Sequence, residues 1–279
     1  MYSATSDREN QISVPTYGEQ LFERYLNAHQ IRFDREPDLP GIPERVDFVL
    51  DHAGCGKILL DVKDIENQPP GPGFGVFDPY RVIRTHIDAG KRKFRNSAQY
   101  LCGLVLAAPP TSFTMLDDPV TMMGAMYGDF GYRMSVNTEK GTADPDTLEP
   151  IYIPGKGKMI RKREVQNTRI AALIVVIDHH IWYHAMRKYL NTEDGKTRQE
   201  RYLDIRNGEA GLPDEDARLP GVTVWENAVA SRKLPKDLFR GEMDAWWEVT
   251  EDGRQLPTYI GRLRRELQVD KAALEKLGM

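Results

Sequence analysis

Asp47, Asp61 and Lys63 are the residues whose types and spacing could do chemistry. They lie at the ends of two short apolar runs in residues 45–66, R-V-D-F-V-L-D-H-A-G-C-G-K-I-L-L-D-V-K-D-I-E. Two carboxylates beside an ammonium suit a hard divalent cation that works on a phosphate. Mg²⁺ takes one or two carboxylates and fills the rest of its shell with water and phosphate oxygens. An ammonium nearby offsets carboxylate repulsion. The same trio also reads as an ordinary ion cluster at strand ends.

Such chemistry needs all three groups on one face, and the apolar pattern predicts a hairpin that puts them there. A three-residue loop of Ala53, Gly54 and Cys55 sets His52 opposite Gly56. Val46 then meets Val62, Phe48 meets Leu60 and Leu50 meets Ile58, giving a wholly apolar face. On the other face Asp47 lies opposite Asp61, and Val49 opposite Leu59. Lys63, two residues beyond Asp61, shares its face. A one-residue slip would exchange the faces and spoil this sorting. Like charges directly opposite repel; Lys63 compensates in part and a bound divalent cation more fully.

The flanking elements can be read more coarsely. Residues 16–29 form a helix with Leu21, Phe22, Tyr25 and Leu26 on its apolar stripe, and Thr16 and Glu19 have capping-box spacing. Glu19 lies nearer the boundary of the buried face than Glu23, so it is either a cap partner alone or a further acid for the site. Residues 31–36 read as a strand and 37–43 as a turn-rich connection. The Pro/Gly-dense stretch 67–79 reads as a functional loop, and its glycines do not follow the dinucleotide fingerprint. A helix over 80–97 carries Arg81, Arg84, His86, Lys91, Arg92, Lys93 and Arg95. Arg84 and Lys91 share a face and are candidate phosphate contacts, with a solvated basic face as the plain alternative. Residues 101–108 and 170–177 read as buried strands, the second as an addition to the central sheet.

Farther along, Met115, Met122, Met123, Met126 and Met134 suggest irregular core filling. The basic run 155–163 reads as a grip on a duplex backbone or as a solvated turn. His180 and His184, at i and i+4, would share a helix face beside His179; ordinary packing competes with a metal site there. Residues 187–220 read as an exposed insertion and 221–229 as the start of a strand. Residues 257–277 read as a final amphipathic helix that caps the domain or mediates homodimer formation. Residues 1–15 read as a flexible arm, and 16–279 as one elaborated α/β domain without internal repeats.

Composition narrows the classes. The chain has 279 residues, 40% hydrophobic and 29% charged, enough to bury a sizeable core. Its net charge of −4 argues against a histone-like coat on nucleic acid, but not against a local basic surface. Cys55 and Cys102 form no C-x-x-C pair, and residues 1–11 lack the apolar core of a signal peptide, so a reduced cytoplasmic setting is expected. No apolar run is long enough to span a bilayer, so no membrane partner is expected.

An acid-bearing helix, then Asp47, then Asp61-Val62-Lys63 resembles the signature core of the PD-(D/E)xK, or restriction-endonuclease-like, nuclease superfamily, over residues 16–108. Val46 stands where the namesake Pro would be, and Asp61 where Glu is commoner. Counting back from the end of the first helix, the resemblance favours Glu19 over Glu23 as the helical acid. It implies a central mixed β-sheet flanked by helices, with C-terminal elaborations. It also implies Mg²⁺, or Mn²⁺ in its place, held by Asp47, Asp61, the Val62 carbonyl and Glu19, with Lys63 assisting the attacking water. The expected activity is hydrolysis of phosphodiester bonds in nucleic acid, DNA first. The alternative is a non-cleaving nucleic-acid- or protein-binding member of the same fold. A more distant alternative is a phosphohydrolase built on His179, His180 and His184.

Overall fold

The computed structural model describes residues 14–65, 78, 80–109, 116, 118–137, 142–153, 156–161, 164–214, 217–241, 243–249 and 255–259. The elements run α1 (Tyr17–Ala28), β1 (Phe33–Arg35), β2 (Phe48–His52), β3 (Gly56–Asp64) and α2 (Arg81–Lys93), then a 3₁₀ turn at Phe94–Asn96 and β4 (Leu101–Ala107). Next come α3 (Pro119–Tyr127), β5 (Asp129–Asn137), β6 (Thr142–Ile153), β7 (Ile160–Arg161), β8 (Glu164–Val165), β9 (Ile170–His180), α4 (Ile181–Leu190) and α5 (Arg198–Asn207). The last are β10 (Arg218–Glu226), β11 (Ala245–Val249) and β12 (Gln255–Tyr259).

Strand alternation builds a mixed α/β sheet. Eight strands are ordered β1-β2-β3-β4-β9-β10-β11-β12, with β3, β4 and β9 parallel and β2 antiparallel to β3. Each hairpin face packs its own layer. Phe48, Leu50, Ile58, Leu60 and Val62 point at α1, where Leu21, Phe22, Tyr25 and Leu26 cover them. Val49 and Leu59 point the other way, into a layer with Ile83, Ile87 and Phe94 from the α2 segment and Met122 and Met126 from α3. Val46, expected with Phe48 and Leu50, packs instead in the α2 layer, because it lies outside β2 and is freed from the strand's alternation. Each large side chain sealed this way contributes roughly 1.5–3 kcal/mol.

The hairpin turn closes as expected, with His52 paired to Gly56 across the Ala53–Cys55 loop. Gly56 takes φ +78°, a left-handed conformation open to glycine, and the Gly54 N–H donates to His52 Nδ1 at 3.1 Å.

Several differences have clear causes. β9 continues past Ile177 to His180 because β10 pairs along its whole length, through Arg218 opposite His180. Residues 187–220 hold a helix, α5, rather than only an exposed insertion. Thr197 and Glu200 form a capping box at its start, and Gly208 closes it at φ +74°. Of the methionines, Met122 and Met126 are buried as core filling, whereas Met134 is exposed. The described part of the expected final helix, Pro257–Tyr259, belongs to β12; residues 260–279 lie outside the described residues, as do 1–13 of the arm and all of the 67–79 loop except Asp78. Among the described residues no helix is long and apolar enough to cross a membrane.

The start of α1 is pressed onto the ends of β3 and β4. The Gly18 N–H donates to Asp64 Oδ1 at 2.7 Å, and a Cβ at Gly18 would lie 2.7 Å from Ala107 Cβ. Gly18→Ala is therefore expected to lower stability by roughly 1–3 kcal/mol in urea unfolding, despite alanine's better helix propensity.

Candidate functional site

The site grows from a length mismatch. β3 runs on to Asp64, but β2 begins only at Phe48, so beyond Leu60 the β3 edge lacks a ladder partner on that side. Asp47 fills the gap with its side chain: Oδ2 accepts from the Val62 N–H at 2.5 Å. Its own carbonyl accepts from Glu36 N at 3.1 Å. Because the N–H and C=O of one strand residue point the same way, the Val62 carbonyl faces this gap as well.

Asp61, between Leu60 and Val62, faces the α2 side and is 0% exposed. Lys93, the last residue of α2, hydrogen-bonds Asp61 Oδ1 and reaches Asp47 Oδ1 at 3.5 Å. Lys63 Nζ lies 2.8 Å from Asp61 Oδ2. That oxygen nonetheless makes no hydrogen bond, so the Lys63 contact is an ion pair without donor alignment. Asp47 lies outside β2 and does not pair with Asp61 in the ladder as expected; the two carboxylates meet instead at Lys93, with Lys63 beside Asp61.

The electrostatics follow from burial. Desolvation, then the Asp61 charge, push the Asp47 carboxyl up to about 6; Lys93, the Val62 N–H and Lys63 pull it back only in part. Burial alone would lower the Lys93 ammonium, but the charges and hydrogen bonds of Asp61 and Asp47 outweigh it and hold Lys93 above the usual lysine range.

Other expected site residues are placed elsewhere. Glu19 completes the capping box with Thr16, and its carboxylate pairs with Arg35 at 3.0 Å. Arg35 also holds Glu23, at 2.9 Å. α1 covers the sheet face opposite to that of Asp61, so Glu19 is not brought to the two aspartates. Arg84 is buried, donating to the Gly124 carbonyl at 2.8 Å and Asp129 Oδ1 at 2.7 Å, with its guanidinium over the Tyr80 ring. It ties α2 to the α3–β5 junction and is not presented to a phosphate. Lys91 is exposed, with Nζ 3.4 Å from Gln166 Oε1. The described lysines of the 155–163 run face acids: Lys158 pairs with Asp88, and Lys156 lies 3.9 Å from Asp129. His180 ends β9 whereas His184 lies in α4, so the two do not share a helix face.

Lys93 was not singled out from the sequence. It flanks the Ile83, Ile87 and Phe94 stripe on the side opposite to Arg84 and Lys91, a position visible in the sequence. Which flank meets the hairpin depends on how α2 lies across the sheet.

The residues that could hold a metal are few. Asp47, Asp61 and the Val62 carbonyl offer only oxygen, and the buried Asp61 Oδ2 lacks a hydrogen bond. Among the described residues no group of three His, Cys, Asp or Glu side chains could hold a metal, so the carboxylate complement here is two. No protein-family model, no curated protein and no solved structure matches this chain.

Two outcomes are expected from this geometry. Asp47 holds its proton more tightly folded than unfolded, so its stabilising contribution is complete below about 3.8 and is lost as pH rises through about 6. In EDTA, melting across that window should show a decline on the order of 3 kcal/mol that Asp47→Asn flattens. Arg84→Ala should cost roughly 2–3 kcal/mol in urea unfolding. Its effect on nucleic-acid retention should be no larger than its loss of folded protein.

Proposed function

We propose that this chain is a Mg²⁺-dependent nuclease with a restriction-endonuclease-like core that hydrolyses phosphodiester bonds of DNA. The observation that carries the reading is the convergence of Asp47 and Asp61 on one cation position at the ragged end of the hairpin, with Lys63 beside it. The mixed sheet with α1 on one face and α2 on the other supports it.

Asp47, Asp61 and the Val62 carbonyl would hold the metal, which when bound supplies Lewis-acid stabilisation of phosphate charge and a more acidic water. The Val62 N–H fixes the Asp47 carboxylate, so one ligand is oriented by the strand that carries the other. Lys63 is only partly buried, at 27% side-chain exposure, and can turn its ammonium to the attacking water and to the charge that develops on the phosphate. Lys91, Arg92 and Arg95 are exposed around the end of α2 and form the nearest grip for a nucleic-acid backbone.

One observation favours a second reading. Lys93 already bridges both aspartates and neutralises the pair without a metal, as suits a non-cleaving nucleic-acid- or protein-binding member of the fold.

Incubation of linear and circular DNA with Mg²⁺, Mn²⁺ or EDTA distinguishes them. Cleavage should require metal and fall about 10²-fold or more in both Lys63→Ala and Asp61→Asn, with folding checked by circular dichroism. Equal cleavage by wild type and Lys63→Ala would remove Lys63 from the mechanism. Salt-dependent retention of DNA or RNA without cleavage would establish the binding reading.

A further inference from the structure

We propose that Lys93 is the resident cation of the two-aspartate site, and that a divalent metal occupies the site only by displacing its ammonium. The inference rests on the metal-site reading above and adds to it a competitor built into the fold.

The geometry makes Lys93 unlike Lys63. Lys63 touches one oxygen, Asp61 Oδ2. Lys93 bridges the pair through Oδ1 of Asp61 and Oδ1 of Asp47. Those two oxygens share a single cation, and a metal held by both aspartates would take its place. An ammonium hydrogen-bonded to both and a metal bonded to both cannot occupy one position.

Charge leads to the same result. Two carboxylates and two ammonium groups leave the site balanced. A divalent ion added to all four would leave a strongly positive, largely buried site, with Asp61 fully enclosed and only 16% of the Lys93 side chain exposed. Withdrawal of Lys93 relieves part of this excess. Its position at the end of α2 allows that movement, because the long stem can turn toward solvent beside the exposed Lys91, Arg92 and Arg95. A phosphate arriving there meets the released ammonium and brings the negative charge that balances the metal. Metal and phosphate binding are thereby coupled, each favouring the other.

The test measures Mn²⁺ binding to the full-length protein without nucleic acid, by electron paramagnetic resonance, in wild type, Lys93→Met and Lys93→Arg, with Asp61→Asn as the site control. Lys93→Met should bind Mn²⁺ at least roughly tenfold more tightly than wild type, while Lys93→Arg stays near wild type. Mn²⁺ should also raise acylation of Lys93 by an amine-reactive reagent in the wild-type protein, read by mass spectrometry, which needs no variant to fold. Equal or weaker binding by a folded Lys93→Met, or acylation unmoved by bound Mn²⁺, would overturn the competition while leaving the metal site in place. Absence of Mn²⁺ binding from wild type and both Lys93 variants, or binding that persists in Asp61→Asn, would remove the metal reading itself.

Discussion

Two carboxylates side by side at a buried strand end cannot both stay ionised without a cation beside them. The other features of the candidate site follow from that constraint. Asp61 is fully enclosed, and the strand that carries it cannot rotate it away without turning Leu60 and Val62 out of the α1 core. Asp47 is pinned by the Val62 N–H, whose ladder partner is missing because β2 starts late. The repulsion is therefore built into the backbone pairing and is answered from outside the hairpin, by the last residue of α2.

The sheet divides this work between its faces. The α1 face is aromatic and aliphatic, with Phe22 set edge-on to Phe48 and stacked with Tyr25, and it supplies rigidity. The α2 face mixes an apolar stripe with charged flanks. One flank carries Arg84, spent on the Gly124 carbonyl and Asp129; the other carries Lys93, spent on the aspartates. A single amphipathic helix thus anchors the α3–β5 junction with one edge and holds the site with the other.

The hairpin was legible because binary patterning is local and period-two alternation allows one register in which apolar residues pair. Phe48–Leu60, Val49–Leu59 and Leu50–Ile58 are paired as the alternation predicts. The N-terminus of α1 was legible through the Thr16 and Glu19 spacing, and the same signature at Thr197 and Glu200 marks α5, where charge and Gly content had obscured it. Long-range partners were not legible. Glu19 is claimed by Arg35, which reaches it only because β1 pairs with β2. Lys93 meets Asp61 across 32 residues of sequence, through a helix whose rotation is set by packing. Val46 and His180 misled for a simpler reason: strand ends are fixed by partner strands, so β2 stops short of Val46 while β9 runs on through His180.

Across the sheet from the aspartates, Trp225 of β10 and Trp247 of β11 stack with ring centroids 4.7 Å apart and planes 13° from parallel, on strands that run in the same direction. Two indoles held this closely couple their electronic transitions. The indole pair is therefore a label-free optical reporter of how β10 lies against β11. Trp225 belongs to the same packed layer as Leu59 and Phe94, so a disturbance that loosened this layer would reach the pair even if it began beside Asp61.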